Sequence, residues 1–179
     1  GNIEDVETLK VMNNLACLAE TKAFDTYRNE GGFYKVLQTA DRPMKLENNK
    51  PKYTKKYRKI VKKFKKAEEK HMKCRERRIA VLGEEHIDSL GSLANLALYH
   101  KTMTEIYGKY VGVKDKEEHL KEYYKNFQRE YAYHQREAER YFEECIRRRQ
   151  NVLGIDHPET LKTQFSFAEL MHARKQWRQ

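Results

Sequence analysis

Turn-forming residues are scarce in this chain, with 8 glycines and 3 prolines among 179 residues. That leaves little turn chemistry for a fold of many short strands. No run of about 18 apolar residues is present, so no membrane-spanning helix is expected. The first residues, Gly1-Asn2-Ile3-Glu4, contain neither a Met nor an apolar stretch. They read as a cut through a longer protein rather than as a signal peptide. The three cysteines (Cys17, Cys74 and Cys145) are odd in number and widely spaced, which argues against a disulfide framework or a metal knuckle and for an intracellular, reducing compartment. No glycine-rich phosphate loop, nucleophile elbow, metal cluster or paired carboxylates appear. The expectation is therefore no enzyme and no cofactor.

Helix formers are abundant instead: Lys, Arg, Glu, Leu and Ala. Charged residues make up 36% and hydrophobic residues 39%, enough for the thin core of a stack in which each unit buries one face on its neighbour. The net charge of +10 is local in origin. Residues 50–78 hold 15 Lys or Arg against 3 Glu, and the rest of the chain is close to neutral.

Laying the chain on itself at a shift of 71 brings out an internal repeat. Ala67-Glu68 falls on Ala138-Glu139, Cys74 on Cys145, and Arg77-Arg78 on Arg148-Arg149. Val81-Leu82-Gly83 falls on Val152-Leu153-Gly154, His86 on His157, Leu90 on Leu161, and Ala97 on Ala168. A truncated copy opens the chain, with Thr8-Leu9 and Asn14-Leu15-Ala16 matching Ser89-Leu90 and Asn95-Leu96-Ala97. Each copy reads as helix, tight turn, helix. The glycine is expected to close the first helix in a left-handed conformation. Pro158 sits at a tolerated first-turn position with Glu159 near the helix dipole, and Asp88 or Ser89 is placed to cap the middle copy. Leu90, Leu93, Ala94, Ala97 and Leu98 keep helical spacing.

Ala-Glu, an Arg-rich turn, Val-Leu-Gly, His-Pro-x-Thr-Leu and Asn-Leu-Ala together resemble the tetratricopeptide repeat variant of kinesin light chains. The resemblance covers residues 4–19, 67–100 and 138–173, roughly half the chain. Ile87 departs from it where the proline belongs, and Ser166-Phe167-Ala168 stands in place of Asn-Leu-Ala. It implies an all-α solenoid of antiparallel helical hairpins, a protein-binding scaffold or adaptor, and a cytoplasmic or cytoskeletal setting. It also implies that Asn14 and Asn95 face a partner groove and bond a peptide backbone. Arg77, Arg78, Arg148 and Arg149 would then offer charge to acidic peptide residues. The competing reading is that the asparagines bridge adjacent hairpins.

The repeat spacings leave long insertions. Leu120, Tyr124, Phe127, Tyr131, His134, Ala138, Tyr141 and Cys145 alternate steps of four and three, as in a coiled-coil seam, and predict a helix over about 116–152. Tyr53, Tyr57, Ile60, Val61, Phe64, Ala67, His71 and Cys74 predict a second long helix from about Lys52 to Leu82, apolar on one face. Gly31-Gly32, Pro43 and Pro51 mark residues 28–51 as a loop or irregular linker, and Gly108 and Gly112 mark another over 108–115. One domain, 1–179, then comprises a truncated repeat (1–27), a repeat over 52–107 and a repeat over 116–179.

His86 and His157 read as turn histidines that bond backbone and pack between helices, not as metal ligands, since no carboxylate or cysteine lies at ligand spacing. Cys74 and Cys145 read as small buried residues. The tyrosines are placed to pack the long helices, with base stacking as the sharper alternative. Lys52, Lys55, Lys56, Arg58, Lys59, Lys62, Lys63, Lys65 and Lys66 form a basic face. It reads either as a solvated helix face or as a contact for an acidic peptide, an acidic protein surface or nucleic acid, the latter favoured because such a charge density without counter-charge repels itself.

Overall fold

A computed structural model describes residues 3–38, 46–47, 50–51, 54–113 and 120–176. Six helices account for nearly all of them: α1 (Ile3–Asn29), α2 (Gly32–Gln38), α3 (Lys55–Leu82), α4 (Ile87–Gly108), α5 (Lys121–Leu153) and α6 (Pro158–Gln176). Two-residue strands β1 (Leu46–Glu47) and β2 (Lys50–Pro51) pair antiparallel. The fold is the expected all-α helical repeat stack.

The two long helices follow their seams. α3 buries Tyr57, Ile60, Phe64, Ala67, His71, Cys74 and Arg78, and α5 buries Tyr124, Phe127, His134, Ala138, Tyr141, Cys145 and Arg149. Such a stripe turns one side of each helix inward and leaves the charged residues outside. α3 begins at Lys55, where the Thr54 hydroxyl accepts from the Tyr57 N–H at 3.2 Å. Lys52 and Tyr53 lie outside the described residues, as do residues 116–119 at the expected start of α5.

Both Val-Leu-Gly turns are built alike. Gly83 and Gly154 close their helices at φ +89° and +99°. A Cβ at either would meet nothing within 4 Å, so backbone conformation rather than space demands glycine there. The next helix is capped by the histidine, not by Asp88 or Ser89. His86 Nδ1 accepts the Asp88 N–H at 3.1 Å, and His157 Nδ1 accepts the Glu159 N–H at 3.2 Å. An imidazole lone pair thus satisfies one of the orphan amides of the first turn. The histidines bond backbone as expected, but His86 is exposed rather than packed between helices.

The linker 28–51 is only partly irregular. α1 runs on to Asn29, the chain turns through Gly31 (φ +76°) and Gly32 (φ +66°), and α2 then buries Phe33, Val36 and Leu37. The glycines signalled a turn correctly. What followed was a seven-residue helix, too short to show a period of its own.

α4 packs most extensively on α5, and α1 on α3, while the α3–α4 and α5–α6 pairs joined by the short turns pack less. Two cores result. At the turn end, Leu93, Leu96, Ala97, Ala138, Tyr141, Phe142, Cys145 and Leu170 form a compact cluster. At the loop end, Phe33 sits fully buried among Tyr27, Tyr57, Tyr107, Tyr110 and Phe127, with ring centroids 4.9–5.9 Å away.

Candidate interaction surfaces

The turn end carries the residues expected to form a partner groove. A cavity of about 300 Å³ lies there, and Asn13, Asn95, Arg78, Arg149, Lys162 and Ser166 are among its lining. Three of the expected residues, Asn95, Arg78 and Arg149, are thus brought together. Asn95 Nδ2 donates to the Asn13 side-chain oxygen at 3.2 Å, which ties α4 to α1. Its neighbour Asn14 points to solvent. Successive helical residues lie about 100° apart, so only one of the two asparagines can face α4.

The two repeat arginines have the same internal work. Arg78 Nη1 donates to the Asp88 carbonyl at 2.8 Å and to the Ser92 hydroxyl at 2.9 Å. Arg149 Nη1 donates to the Glu159 carbonyl at 2.7 Å and to the Thr163 hydroxyl at 2.6 Å. Each is buried and clamps the helix after the turn onto the helix before it. A carboxylate accompanies the second clamp, with Glu159 Oε2 at 3.2 Å. The Nε of each guanidinium is buried without a partner among the described residues. Their partners lie in the hairpin itself, so these two side chains are structural first and only line the cavity. Arg77 and Arg148 do not line it. Arg77 lies 3.8 Å from Asp5, and Arg148 binds Glu84 at 2.8 Å and Glu144 at 3.0 Å. Glu144 also takes Arg75 at 3.1 Å, joining α3 to α5.

Further from the turns, α3 and α5 face each other across a cleft. Two adjoining hollows of about 510 and 600 Å³ share Val61, Lys65, Glu69, Arg129 and Glu130, so they form one continuous depression. Of the basic face, Arg58, Lys62, Lys65 and Lys66 line this cleft. Lys55, Lys56, Lys59 and Lys63 are exposed outside it, and Lys59 pairs with Glu30 at 2.6 Å. That contact holds the Glu30 carboxyl below the usual range.

Beneath the cleft lies a polar chain that the sequence did not announce. His100 Nδ1 and His134 Nδ1 are 2.8 Å apart, both rings buried. One proton lies between them, so one ring donates and the other accepts. Their Nε2 atoms face carboxylates, His100 toward Glu68 at 3.7 Å and His134 toward Glu130 at 3.9 Å. Burial pushes both imidazoles down to about 3, and the Arg140 charge adds to the effect at His100. Burial raises the Glu68 carboxyl, against the Tyr133 hydroxyl that donates to it at 2.7 Å. In the sequence His134 is one step in an apolar seam. His100 follows Tyr99 on a helix whose pattern gave it no distinction.

Cys74 and Cys145 are buried and Cys17 is exposed. Six of the 12 tyrosines, Tyr57, Tyr99, Tyr107, Tyr123, Tyr124 and Tyr141, are buried. Among the described residues, no group of three or more His, Cys, Asp or Glu side chains is arranged to hold a metal ion. No described helix is long and apolar enough to cross a membrane.

The tetratricopeptide repeat family model matches residues 131–159, from the middle of α5 through the Val-Leu-Gly turn to the start of α6. No curated protein and no solved structure matches the chain significantly. The matched segment carries the glycine stop, the histidine cap and the Arg149 clamp, and residues 67–92 rebuild the same devices around Arg78. Residues 131–159 thus carry a tetratricopeptide repeat match, and the same turn is built a second time around Arg78 in an all-α helical repeat stack.

Proposed function

We propose that this chain is a non-catalytic scaffold module that takes an extended, acidic peptide along the α4–α6 side, as kinesin-light-chain-like repeats do. Tetratricopeptide repeats generally mediate protein–protein interaction. The supporting observation is the turn-end cavity, where half-buried Asn95 stands between α1 and α6. An asparagine amide offers both a donor and an acceptor, which suits a peptide backbone. Lys162, exposed at the rim, supplies charge for an acidic side chain. Exposed Leu161 and Phe165 continue the α6 surface and add apolar contact.

The test is a peptide library selected on the intact chain and re-measured against Asn95→Ala and Lys162→Gln. Selected peptides should weaken roughly tenfold on Asn95→Ala and less on Lys162→Gln, in keeping with a partly buried against an exposed polar contact. Selection that yields only peptides indifferent to Asn95→Ala defeats the reading.

A further inference from the structure

The cleft between α3 and α5 has no part in that reading, and its chemistry differs. Six cations line it: Arg58, Lys62, Lys65 and Lys66 from α3, and Arg129 and Arg136 from α5. Among the described residues, no carboxylate pairs with Arg58, Lys62, Lys65, Lys66 or Arg136 within 4 Å. Arg129 donates to the Asn126 side-chain oxygen. Six cations against three lining carboxylates leave a positive excess that favours a negative partner. Five of the cations gather toward one end, around Tyr57 and Val61, and Arg136 lies toward the other. Toward the other end the lining includes two exposed large side chains, Met72 on α3 at 40% exposure and Tyr133 on α5 at 38%. Carboxylates are present too: Glu68, Glu69 and Glu130 stand among the cations. A phosphate backbone brings neither donors for those three nor apolar side chains for Met72 and Tyr133. A polypeptide brings N–H groups that they can accept, together with side chains for the apolar end.

We infer that the α3–α5 cleft is a second docking site, taken by an acidic polypeptide segment whose carboxylates lie along Arg58, Lys62 and Lys66 and whose apolar side chain rests between Met72 and Tyr133. Charge complementarity fixes the direction of the segment, acidic part toward the loop end and apolar part toward the middle of the helices. The site stands apart from the Asn95 cavity, so each can be occupied or lost without the other.

The intact chain, titrated into a fluorescent peptide built of Glu-Glu-Glu-Leu repeats and into an oligo-uridine of equal length, tests this by anisotropy over a salt series. Two charge-matched triple variants separate the cleft from the general basic surface. Lys62→Gln, Lys65→Gln and Lys66→Gln together should weaken the peptide by roughly tenfold or more, whereas Lys55→Gln, Lys56→Gln and Lys63→Gln together should cost under about threefold. Met72→Ser should weaken the peptide at high salt, where screening has removed most of the ionic part. All these positions are exposed, and unchanged helical circular dichroism confirms that the variants fold. Asn95→Ala should leave this binding intact, which keeps the outcome separate from that of the turn-end groove. Equal losses from the two triple variants would overturn the proposal in favour of diffuse attraction. Tighter binding of the oligonucleotide with Met72→Ser silent would overturn it in favour of a nucleic-acid surface, and absence of peptide binding would end it.

Discussion

The two ends of the helical stack are held by opposite means. At the turn end, small side chains such as Ala97, Ala138 and Cys145 let helices approach, and two buried arginines reach across the turns to bond backbone carbonyls and hydroxyls. Among the described residues the loop end has no such arginine clamp. Large rings do the work: Phe33 of the short helix α2 meets Tyr57, Tyr107 and Phe127, and Tyr99 and Tyr123 belong to the same core. One end is specified by directional bonds in a repeating register, the other by volume. Directional bonds reproduce the same turn wherever the motif recurs, whereas volume filling accommodates whatever lengths the insertions have.

The sharpest way to break this contrast is to remove the central ring at the loop end. Phe33→Ala leaves a large cavity among five aromatic neighbours and should cost about 4 kcal/mol, read from urea unfolding. The corresponding change at the turn end is Arg149→Ala. It strips charged hydrogen bonds from the Glu159 carbonyl and the Thr163 hydroxyl, and should cost about 3 kcal/mol. Arg149→Lys should recover little of this, because one ammonium on a flexible stem does not reproduce the planar fork. If Phe33→Ala proves the milder change, α2 is a cover rather than a peg, and the contrast fails.

A third prediction concerns the boundary between the two ends, where His100 and His134 meet. Their folded pKa values of about 3 lie below the ordinary 6.5. The unfolded chain therefore takes up protons first as pH falls. Stability is full above pH 6.5, falls through the window from 6.5 to 3, and levels off below it. The loss should amount to roughly 2 kcal/mol per histidine at pH 5. Urea midpoints at pH 7.5 and pH 5 measure it, and His134→Phe should flatten the profile. The smallest effect is expected at Glu144, which bridges Arg75 and Arg148 in a half-buried network. Glu144→Gln should cost about 1 kcal/mol, and less at high salt.

How much of this was legible in the sequence follows the same division. The turn end was written in residue types at fixed spacing: Gly83 and Gly154, His86 and His157, Arg78 and Arg149 all came to light by shifting the chain on itself. Their repetition gave away the architecture, and the long seams of α3 and α5 gave away which faces are buried. The roles were less legible than the positions. Arg78 and Arg149 read as offers of charge to a partner, and they bond within the hairpin. Asn14 was matched to Asn95 by motif, yet Asn13 makes the contact, because one step in sequence turns a side chain about 100° round the helix. The loop end stayed obscure for a physical reason. α2 is a single short helix inside a glycine-rich stretch, and the His100–His134 pair joins residues of two helices that no common spacing relates.

The length of α5 has a mechanical consequence. Its 33 residues span about 50 Å at 1.5 Å per residue. A rod that long, gripped only near Arg149, would act as a lever: a tilt of about 5° at the grip would swing its far tip by about 4 Å, more than the width of a methyl group. The aromatic cluster at Phe33 and Phe127 fastens that tip against α4, and the Ala138–Cys145 stretch and His134 hold the rod between, so its angle is set along its whole length. Any segment seated in the α3–α5 cleft then lies between two rigid rails, and changing Phe33 or Phe127, which do not line the cleft, is a way to widen or narrow the gauge without touching the cleft itself.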